Sequence, residues 1–337
     1  MSLTARTRRV AGGCVAIVSA AAVAAGSAPA FSVPAAAHAL RAATASVGGC
    51  RVLPADNYWN TRVDQLPVHP RSGAWLRHMS PSSDLHPDFG PSYGAQPVPY
   101  GIPVTTVGSQ HPKVRVHFRY ASESDRVRYP LGNDTAIEGG WRAGGDRHAV
   151  VVDRNTCRLY ETWDTRRRSG RWTAGSGAVF DLGSNRLRPD GWTSADAAGL
   201  PILPGLLRWR EVRRGFVGHA IRFTTDVTDR RHIWPARHDA GSVSNRSYPP
   251  MGARFRLKAS FDVSGFRPDA RVVLLAMKRY GLVLADNGSP WYFQGDASRG
   301  WPSGLLDQLK TIPARAFEAV DTARMRIRPN SGRAVQP

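Results

Sequence analysis

Residues 253–263 alternate apolar and polar side chains with a period of two, and no other feature of the chain constrains local structure as much. The apolar positions are Ala253, Phe255, Leu257, Ala259, Phe261 and Val263, and the polar ones are Arg254, Arg256, Lys258, Ser260 and Asp262. Successive side chains of a β-strand point to opposite faces, so the pattern predicts a strand that packs on one side only.

Short segments rich in Val, Phe, Tyr and Trp recur along the chain and predict further strands. They cover residues 114–120, 148–153, 157–163, 177–182, 219–225 and 282–286. Clusters of Gly, Pro, Asn and Asp separate these segments, and helical periodicity is scarce. The sequence therefore predicts a mainly β protein, with an antiparallel β-sandwich or jelly-roll-like body and a few peripheral helices.

Two helices and one irregular segment are expected beside the strands. Pro268 opens a helix that reaches residue 280, and Gly281 is placed to end it. A second, shorter helix is expected over residues 302–310. Residues 51–112 are dense in Pro, Gly and His, which predicts an irregular segment that wraps the body.

The N-terminus has the layout of a secretory signal. Three arginines among the first nine residues precede an apolar run over residues 10–25, and small residues then offer cleavage after Ala30 or Ala39. The sequence therefore predicts a secreted protein, extracellular or associated with the cell wall. No later apolar run is long enough to span a bilayer.

The predicted domain plan follows from this signal. It consists of a signal peptide over residues 1–39, a linker over 40–50, a single secreted β-rich domain over 51–325 and a disordered tail over 326–337. Cys14 leaves with the signal, so the mature chain keeps Cys50 and Cys157. In an oxidising compartment these two cysteines are expected to form one disulfide.

The chain is strongly basic, with 46 Lys and Arg against 26 Asp and Glu and a formal net charge of +20. For an exported protein this charge favours a polysaccharide or cell-wall polymer, including an anionic one, over nucleic acid as the partner. Nearly all of the basic residues are arginine, a bias that genomic base composition alone can also produce.

The stretch GDRHAVVVDRNTCRLYETWD, residues 145–164, reads as a hairpin with polar residues at its open end. A two-residue loop would place His148 opposite Glu161 and Asp146 opposite Trp163 on one face. A carboxylate opposite a histidine suits acid-base chemistry. A three-residue loop would instead place His148 opposite Thr162. If the two-residue loop is present, the simpler interpretation of the polar residues is an ordinary half-exposed ion pair at the sheet margin.

Three further residues complete the set of candidate catalytic groups. Glu138 precedes two glycines and, paired with Glu161 or Asp146, could supply the two carboxyl groups that glycoside hydrolysis requires. Asp196 is a second candidate, although a short helix capped at residue 194 would explain its position equally well. His238 is the third. The candidate catalytic residues are thus Glu138, Asp146, His148, Glu161, Asp196 and His238.

Aromatic and arginine side chains provide candidates for substrate binding, because flat rings offer large contact areas to sugars and guanidinium groups pair with anions. These candidates are Trp163, Trp192, Arg237, Arg254, Arg256, Trp291 and Tyr292. Burial of the rings in the core and solvation of the arginines are the competing interpretations.

Several runs in combination resemble a group of exported bacterial proteins of uncharacterised function. They are LHPDFG, YGIPV, GDRHAVVVD, DGWTSADAAGLPILPGL, WPARH, PPMGARFRLKASFD and YGLVLADNGSPWY, and the resemblance covers most of residues 50–321. The resemblance implies secretion and one shared domain architecture. It transfers no activity and no site residue.

The leading hypothesis from these residues is an exported carbohydrate-active enzyme. The best fit is a glycoside hydrolase that uses paired carboxylates on a cell-wall or environmental polysaccharide. It is expected to act as a monomer, without a cofactor or metal. The alternatives are a polysaccharide lyase, a non-catalytic polysaccharide- or wall-binding protein, and a metal-dependent hydrolase. The last would use His219, His232, His238 and Asp239, whose spacing matches no compact zinc signature.

Overall fold

The structure of the protein is a computed structural model that describes residues 45–92 and 98–336. These residues belong to one compact unit, Ala42–Pro337. The predicted signal peptide and residues 40–44 of the predicted linker lie outside the described residues.

The chain is mainly β, with 29% of residues in strands and 16% in helices, as predicted. The strands of the described part are β1 (Ser46–Val47), β2 (Cys50–Arg51), β3 (His86–Asp88), β4 (Val104–Val107), β5 (Val114–Phe118), β6 (Arg128–Tyr129), β7 (Ala149–Asp153), β8 (Arg158–Trp163), β9 (Arg166–Arg168), β10 (Arg171–Ala174), β11 (Ser176–Asp181), β12 (Ile221–Thr225), β13 (Arg254–Leu257), β14 (Leu282–Asn287), β15 (Tyr292–Gln294) and β16 (Phe317–Val320). The helices are α1 (Ser72–Arg77), α2 (Trp209–Arg213), α3 (Pro268–Arg279) and α4 (Ser303–Leu309).

The strands form four sheets. The largest has the order β16-β13-β14-β12-β15-β3, two four-stranded sheets have the orders β11-β8-β7-β4 and β6-β5-β10-β9, and β1 pairs with β2. The pairs β4–β7, β5–β10, β12–β14 and β3–β15 are parallel, so each of the three larger sheets is mixed. Side-chain alternation is the same in parallel and antiparallel strands, so the sequence pattern does not distinguish between them.

Strand β7 shows how the layers stack, because it is buried along its whole length. Val150 and Val152 belong to the large hydrophobic core, which includes the inner side chains of the six-stranded sheet. Ala149 and Val151 belong to a smaller core shared with the β6-β5-β10-β9 sheet. The β11-β8-β7-β4 sheet is therefore the middle layer of a sandwich-like body.

Helix α3 confirms the prediction from its sequence. Pro268 stands in its first turn with Asp269, and Val273, Leu274 and Met277 are buried. Gly281 follows the helix with φ of +72°, a conformation that side chains strongly disfavour. Helix α4 confirms the second prediction, but no helix forms at residues 195–198, where the chain makes turns.

The prediction of a disordered tail over residues 326–337 is wrong for the described part of it. Arg326 pairs with Ala334 in a β-bridge, and Arg333 pairs with Asn57. The amide of Gly332 donates to the carbonyl of Asn185 at 2.6 Å. These contacts are mostly backbone hydrogen bonds, which the polar composition of the segment does not reveal. The predicted linker likewise forms the β1–β2 hairpin over 46–51.

The predicted disulfide between Cys50 and Cys157 is present, with 5.4 Å between the two Cα atoms. It ties the β1–β2 hairpin to the loop between β7 and β8. No helix in the described part of the chain is both long and apolar enough to cross a bilayer.

Replacing both cysteines with alanine is expected to lower the free energy of unfolding by about 2–4 kcal/mol. The bond joins residues 107 apart, and opening so long a loop gives the unfolded chain more conformational entropy. Denaturant unfolding of the double variant, compared with the wild type with and without reductant, measures the effect. Equal midpoints in all three samples would contradict it.

Candidate active site

The hairpin of β7 and β8 has a four-residue loop over 154–157, and this sets its register. Val150 faces Glu161 and Val152 faces Leu159. Both predicted pairings of His148, with Glu161 and with Thr162, are therefore wrong. The reason is local: the Asp153 carboxylate accepts hydrogen bonds from two loop amides, those of residues 155 and 156, and so stabilises the longer loop.

His148 pairs with Glu138 instead. Its Nδ1 lies 2.7 Å from Glu138 Oε2, and its Nε2 lies 3.2 Å from the carbonyl of Ala195. Burial alone would lower the pKa of His148, but the carboxylate of Glu138 outweighs burial and raises that pKa to about 9. An imidazolium donates from both nitrogens, so His148 joins the Glu138 loop to the segment that carries Asp196.

Glu161 has no exposed surface and cannot touch a substrate in this structure. Its two oxygens accept hydrogen bonds from the amides of Ile202 and Leu203, each at 2.9 Å. Burial raises its pKa to about 7 despite these two bonds. The predicted role of Glu161 as a carboxylate that contacts substrate is corrected accordingly: it holds the chain at residues 202–203.

Asp196, Arg222 and Asp286 form a charged cluster that only the tertiary structure brings together. Arg222 donates to both oxygens of Asp196, from Nε at 3.1 Å and from Nη2 at 2.7 Å. Asp286 Oδ2 lies 3.6 Å from the same Nη2. Arg222 and Asp286 lie on the neighbouring strands β12 and β14, whose register shifts between Phe223 and Thr224.

The carboxyl groups of Asp196 and Asp286 approach the same guanidinium nitrogen of Arg222. Burial, followed by the charge of Asp196, raises the pKa of Asp286 well above its usual range, and Arg222 opposes the shift. Asp196 is buried and contacts Arg222 through both oxygens, whereas the Asp286 side chain is 27% exposed. The carboxyl group with the raised pKa is therefore also the more exposed of the two.

The exposed side of this pair opens into a cavity of about 390 Å³. Its lining combines five carboxyl groups with a histidine, an amide and two aromatic rings: Glu123, Asp146, Asp196, Asp239, Asp286, His238, Asn287, Tyr120 and Trp163. We call this the acidic cavity. Its volume suits one or two sugar rings, and cavities that combine aromatic walls with convergent polar groups are typical of ligand sites.

One wall of the acidic cavity is aromatic. The rings of Tyr120 and Trp163 lie 6.3 Å apart at an angle of 27°. Trp163 Nε1 donates to Asp146 Oδ1 at 3.1 Å, and the Arg119 guanidinium lies 5.1 Å from the Trp163 ring. These contacts fix the orientation of the Trp163 ring and the position of the Asp146 carboxylate beside it.

His238 forms part of another wall. Its Nδ1 lies 2.8 Å from the carbonyl of Ala197, and a carbonyl can only accept, so Nδ1 carries a proton. Its Nε2 lies 3.7 Å from Glu123 Oε2, on the cavity side. The ring is thus oriented by the backbone and presents Nε2 to the cavity.

The structure brings together four of the predicted site residues, namely Asp146, Trp163, Asp196 and His238. Glu138, His148 and Glu161 are not among the residues that line the acidic cavity. Sequence reasoning missed Tyr120, Glu123, Arg222, Asp286 and Asn287. The run Asp286-Asn287-Gly288 at the end of a predicted strand was the available signal, because polar side chains at strand ends often form sites.

The other predicted aromatic contacts lie elsewhere. Trp291 has no exposed surface and its Nε1 donates to the carbonyl of Met79, so its predicted role in substrate binding is wrong: the ring is part of the core. Tyr292 is stacked on His86 with 4.0 Å between ring centroids. Trp192 lies beneath the Arg188 guanidinium. Neither Tyr292 nor Trp192 lines the acidic cavity.

Arg254 and Arg256 do not form the expected cationic face on β13. Arg254 is buried, and burial lowers its pKa to about 9. Its donors reach the carbonyl oxygens of Tyr58, Thr61 and Tyr280 at 2.6, 3.0 and 2.8 Å. Arg256 pairs with Glu318 at 2.8 Å. Both guanidinium groups hold the loop over residues 58–66 and are not free for a substrate.

Arg237 is also buried and holds the C-terminal segment. It donates to the carbonyls of Arg188 and Pro329 at 2.8 and 3.1 Å and to Asn330 Oδ1 at 2.9 Å. The alternation of a sequence shows which side chains face the same way, but not whether another segment covers that face.

The four residues of the metal hypothesis are engaged in separate contacts. His219 Nε2 lies 3.1 Å from Glu211, and His232 lies between Asp190 at 3.1 Å and Asp239 at 3.8 Å. Among residues 45–92 and 98–336, no group of three or more His, Cys, Asp or Glu side chains is arranged to hold a metal ion.

No protein-family model matches the chain, and neither a curated protein nor a solved structure does. The resemblance of its motifs to exported bacterial proteins therefore stays a prediction.

Proposed function

We propose that this protein is an exported glycoside hydrolase that acts in the acidic cavity. The observation that supports this most is the cluster of Asp196, Arg222 and Asp286, in which a buried carboxylate paired with arginine lies near a carboxyl group that lines the cavity. Glycosidic bonds need such a proton donor, because the leaving sugar oxygen is a poor leaving group until it is protonated.

Asp286 is the general acid in this proposal. A bidentate contact with Arg222 holds the Asp196 carboxylate in place near it. Asp196 thereby favours the protonated form of its neighbour at a pH where an ordinary aspartate is ionised. Asp196 and Arg222 are positioning residues, since they act through Asp286.

Asp146 is the general base. Its residue is exposed, so water reaches it, and the hydrogen bond from Trp163 fixes its orientation. Asp286 gives its proton to the glycosidic oxygen as the bond from that oxygen to the anomeric carbon breaks. Asp146 takes a proton from water as the water oxygen bonds to the same carbon, which inverts the configuration there.

The aromatic wall supports a sugar as the ligand. Trp163 and Tyr120 present flat apolar surfaces beside carboxylates that accept hydrogen bonds from hydroxyl groups. Glu138, His148 and Glu161 hold the segments at residues 195 and 202–203 and so fix the position of Asp196. They are positioning residues in this proposal.

Release of reducing ends from soluble and insoluble polysaccharides tests the proposal. We expect activity in mildly acidic solution that falls as pH rises through the raised pKa of Asp286, since ionisation removes the proton that the acid must donate. The midpoint of this loss should lie above the usual aspartate pKa of about 4. The first product should have inverted anomeric configuration by proton NMR.

Two results would contradict the proposal. Products that absorb as unsaturated sugars would indicate a lyase. Binding to insoluble polysaccharide with no new reducing ends over several days would indicate a non-catalytic binding protein.

A further inference from the structure

A second concave surface lies beside the acidic cavity. It consists of two cavities, of about 540 and 340 Å³, whose linings share His69, His232 and Ile233. Because they share these residues, the two cavities adjoin each other and are treated as one surface. Five arginines line it: Arg71, Arg231, Arg237, Arg246 and Arg326. We call it the arginine groove.

Two of these five guanidinium groups are already paired. Arg231 makes a bidentate contact with Asp229, and Arg237 Nη1 lies 3.4 Å from Asp190. Arg71, Arg246 and Arg326 are exposed, and within residues 45–92 and 98–336 none of them has an acidic side chain as partner.

The acidic residues in the groove do not cancel this charge. Asp190 is shared by His232, at 3.1 Å, and Arg237. Asp321 is the other acid of the lining, and its charge acts on His69. The groove thus has three arginines without an acidic partner and two acids, of which Asp190 is already paired. The resulting excess of positive charge attracts an anionic ligand.

The tryptophan and tyrosine rings of the groove each contact another ring of the protein, and Trp234 lies 5.8 Å from Tyr58 between ring centroids. The Trp75 ring stacks on His69 with 4.1 Å between centroids, and the Tyr248 ring lies 4.2 Å from that of His78. Proteins that bind single-stranded nucleic acid stack bases on free aromatic faces. Rings that already have partners, beside arginines that have no acidic partner, favour a polymer that is recognised through its anionic groups rather than through nucleic-acid bases.

His232 connects the arginine groove to the acidic cavity. Its Nε2 faces Asp190, which lines the groove, and its Nδ1 lies 3.8 Å from Asp239, which lines the cavity. The neighbouring residues Arg237 and His238 are divided in the same way, one lining each surface. The groove and the acidic cavity are therefore adjacent at these residues.

We propose that the arginine groove binds the anionic groups of a polysaccharide chain. The further step, that this chain continues into the acidic cavity as its substrate, rests on the proposed hydrolase function. Carboxylates of uronic acids and phosphodiesters of wall polymers offer the same chemistry to arginine, and the experiment distinguishes these two sources.

The test compares two triple variants that remove the same charge. In the groove variant, Arg71, Arg246 and Arg326 are replaced by glutamine. In the control variant, Arg210, Arg213 and Arg214 are replaced by glutamine, because these three arginines are exposed at α2 and line none of the three cavities. Unfolding midpoints of both variants close to that of the wild type establish that the fold is kept.

Binding is measured to polygalacturonate, to its fully methyl-esterified form and to poly(glycerol phosphate), at several salt concentrations. We expect the groove variant to bind at least one of the two anionic polymers about tenfold to a hundredfold more weakly than the wild type. The control variant should bind like the wild type, and the methyl ester, which has no charge, should not bind. The anionic polymer that responds identifies the source.

Equal weakening in both variants would overturn the proposal, because it would show attraction to net charge alone. Tight binding of a mixed-sequence oligonucleotide that is lost only in the groove variant would assign the groove to nucleic acid instead. Groove-dependent polymer binding without any bond cleavage would leave the groove assignment intact and refute the hydrolase. Cleavage of a neutral polysaccharide with no binding of anionic polymers would refute the groove assignment and leave the hydrolase proposal intact.

Discussion

Replacing Asp286 with asparagine is expected to lower kcat/KM for polysaccharide hydrolysis by about 10²–10⁴-fold. Asparagine has nearly the same shape, but it has no proton to give to the leaving oxygen. Reducing-end release under saturating and limiting substrate, measured near the pH optimum of the wild type, gives the effect on kcat and KM separately.

The same replacement should leave stability unchanged or raise it slightly. Burial and the Asp196 charge favour the neutral form of Asp286, and asparagine resembles that form at every pH. Asp307→Asn is the matched control, because Asp307 lies on α4 with its side chain 73% exposed. Undiminished activity of Asp286→Asn in a folded protein would remove Asp286 from the mechanism.

Replacing Arg222 with methionine is expected to cost about 3–5 kcal/mol of unfolding free energy, the largest stability effect of a single side chain proposed here. Methionine fills much of the space but leaves Asp196 as a buried carboxylate without its cation. Denaturant unfolding monitored by tryptophan fluorescence measures the loss.

A double variant checks the cause of this loss. Asp196→Asn in the Arg222→Met background removes the stranded charge, so it should recover much of the lost stability. Arg210→Met, on the exposed side of α2, should change stability by less than about 0.5 kcal/mol. No recovery in the double variant would mean that packing, and not charge, explains the effect.

The proposed chemistry depends on a proton that only the folded protein can hold on Asp286. In the unfolded chain, Asp196 and Asp286 are separated by 90 positions of sequence and each is an ordinary solvated carboxyl group. In the fold, Arg222 from β12 approaches both. The cluster therefore combines an ion pair that fixes Asp196 with a carboxyl group whose pKa is raised by burial and by the charge of Asp196.

Much of the fold could be predicted from local patterns. The strands around residues 150, 160 and 284 and the helix α3 were found because short runs of strand-forming residues, a proline at a helix start and a glycine after its end are local signals. The disulfide followed from counting, since only two cysteines remain after the predicted signal. The tail was missed because its contacts are backbone hydrogen bonds.

The candidate site could be predicted only in part. Asp146 and Trp163 were found together because they lie at the same end of one hairpin. The hairpin loop is two residues longer than predicted, so the predicted register of the two strands was wrong. The loop length depended on hydrogen bonds to Asp153, which alternation does not encode. Trp291 and Arg254 were misjudged because the segments that cover them are distant in sequence.

The sequence by itself determined the mainly β character, the position of α3 and the pairing of Cys50 with Cys157, because these depend on residue order within one element or on the number of cysteines. The tertiary structure alone decided that Arg222 joins Asp196 and Asp286, and that the exposed arginines of distant segments line one groove. The physical reason is that a raised carboxyl pKa and a charged groove depend on distances of a few ångströms between groups far apart in the chain, and these distances exist only after the sheets have packed.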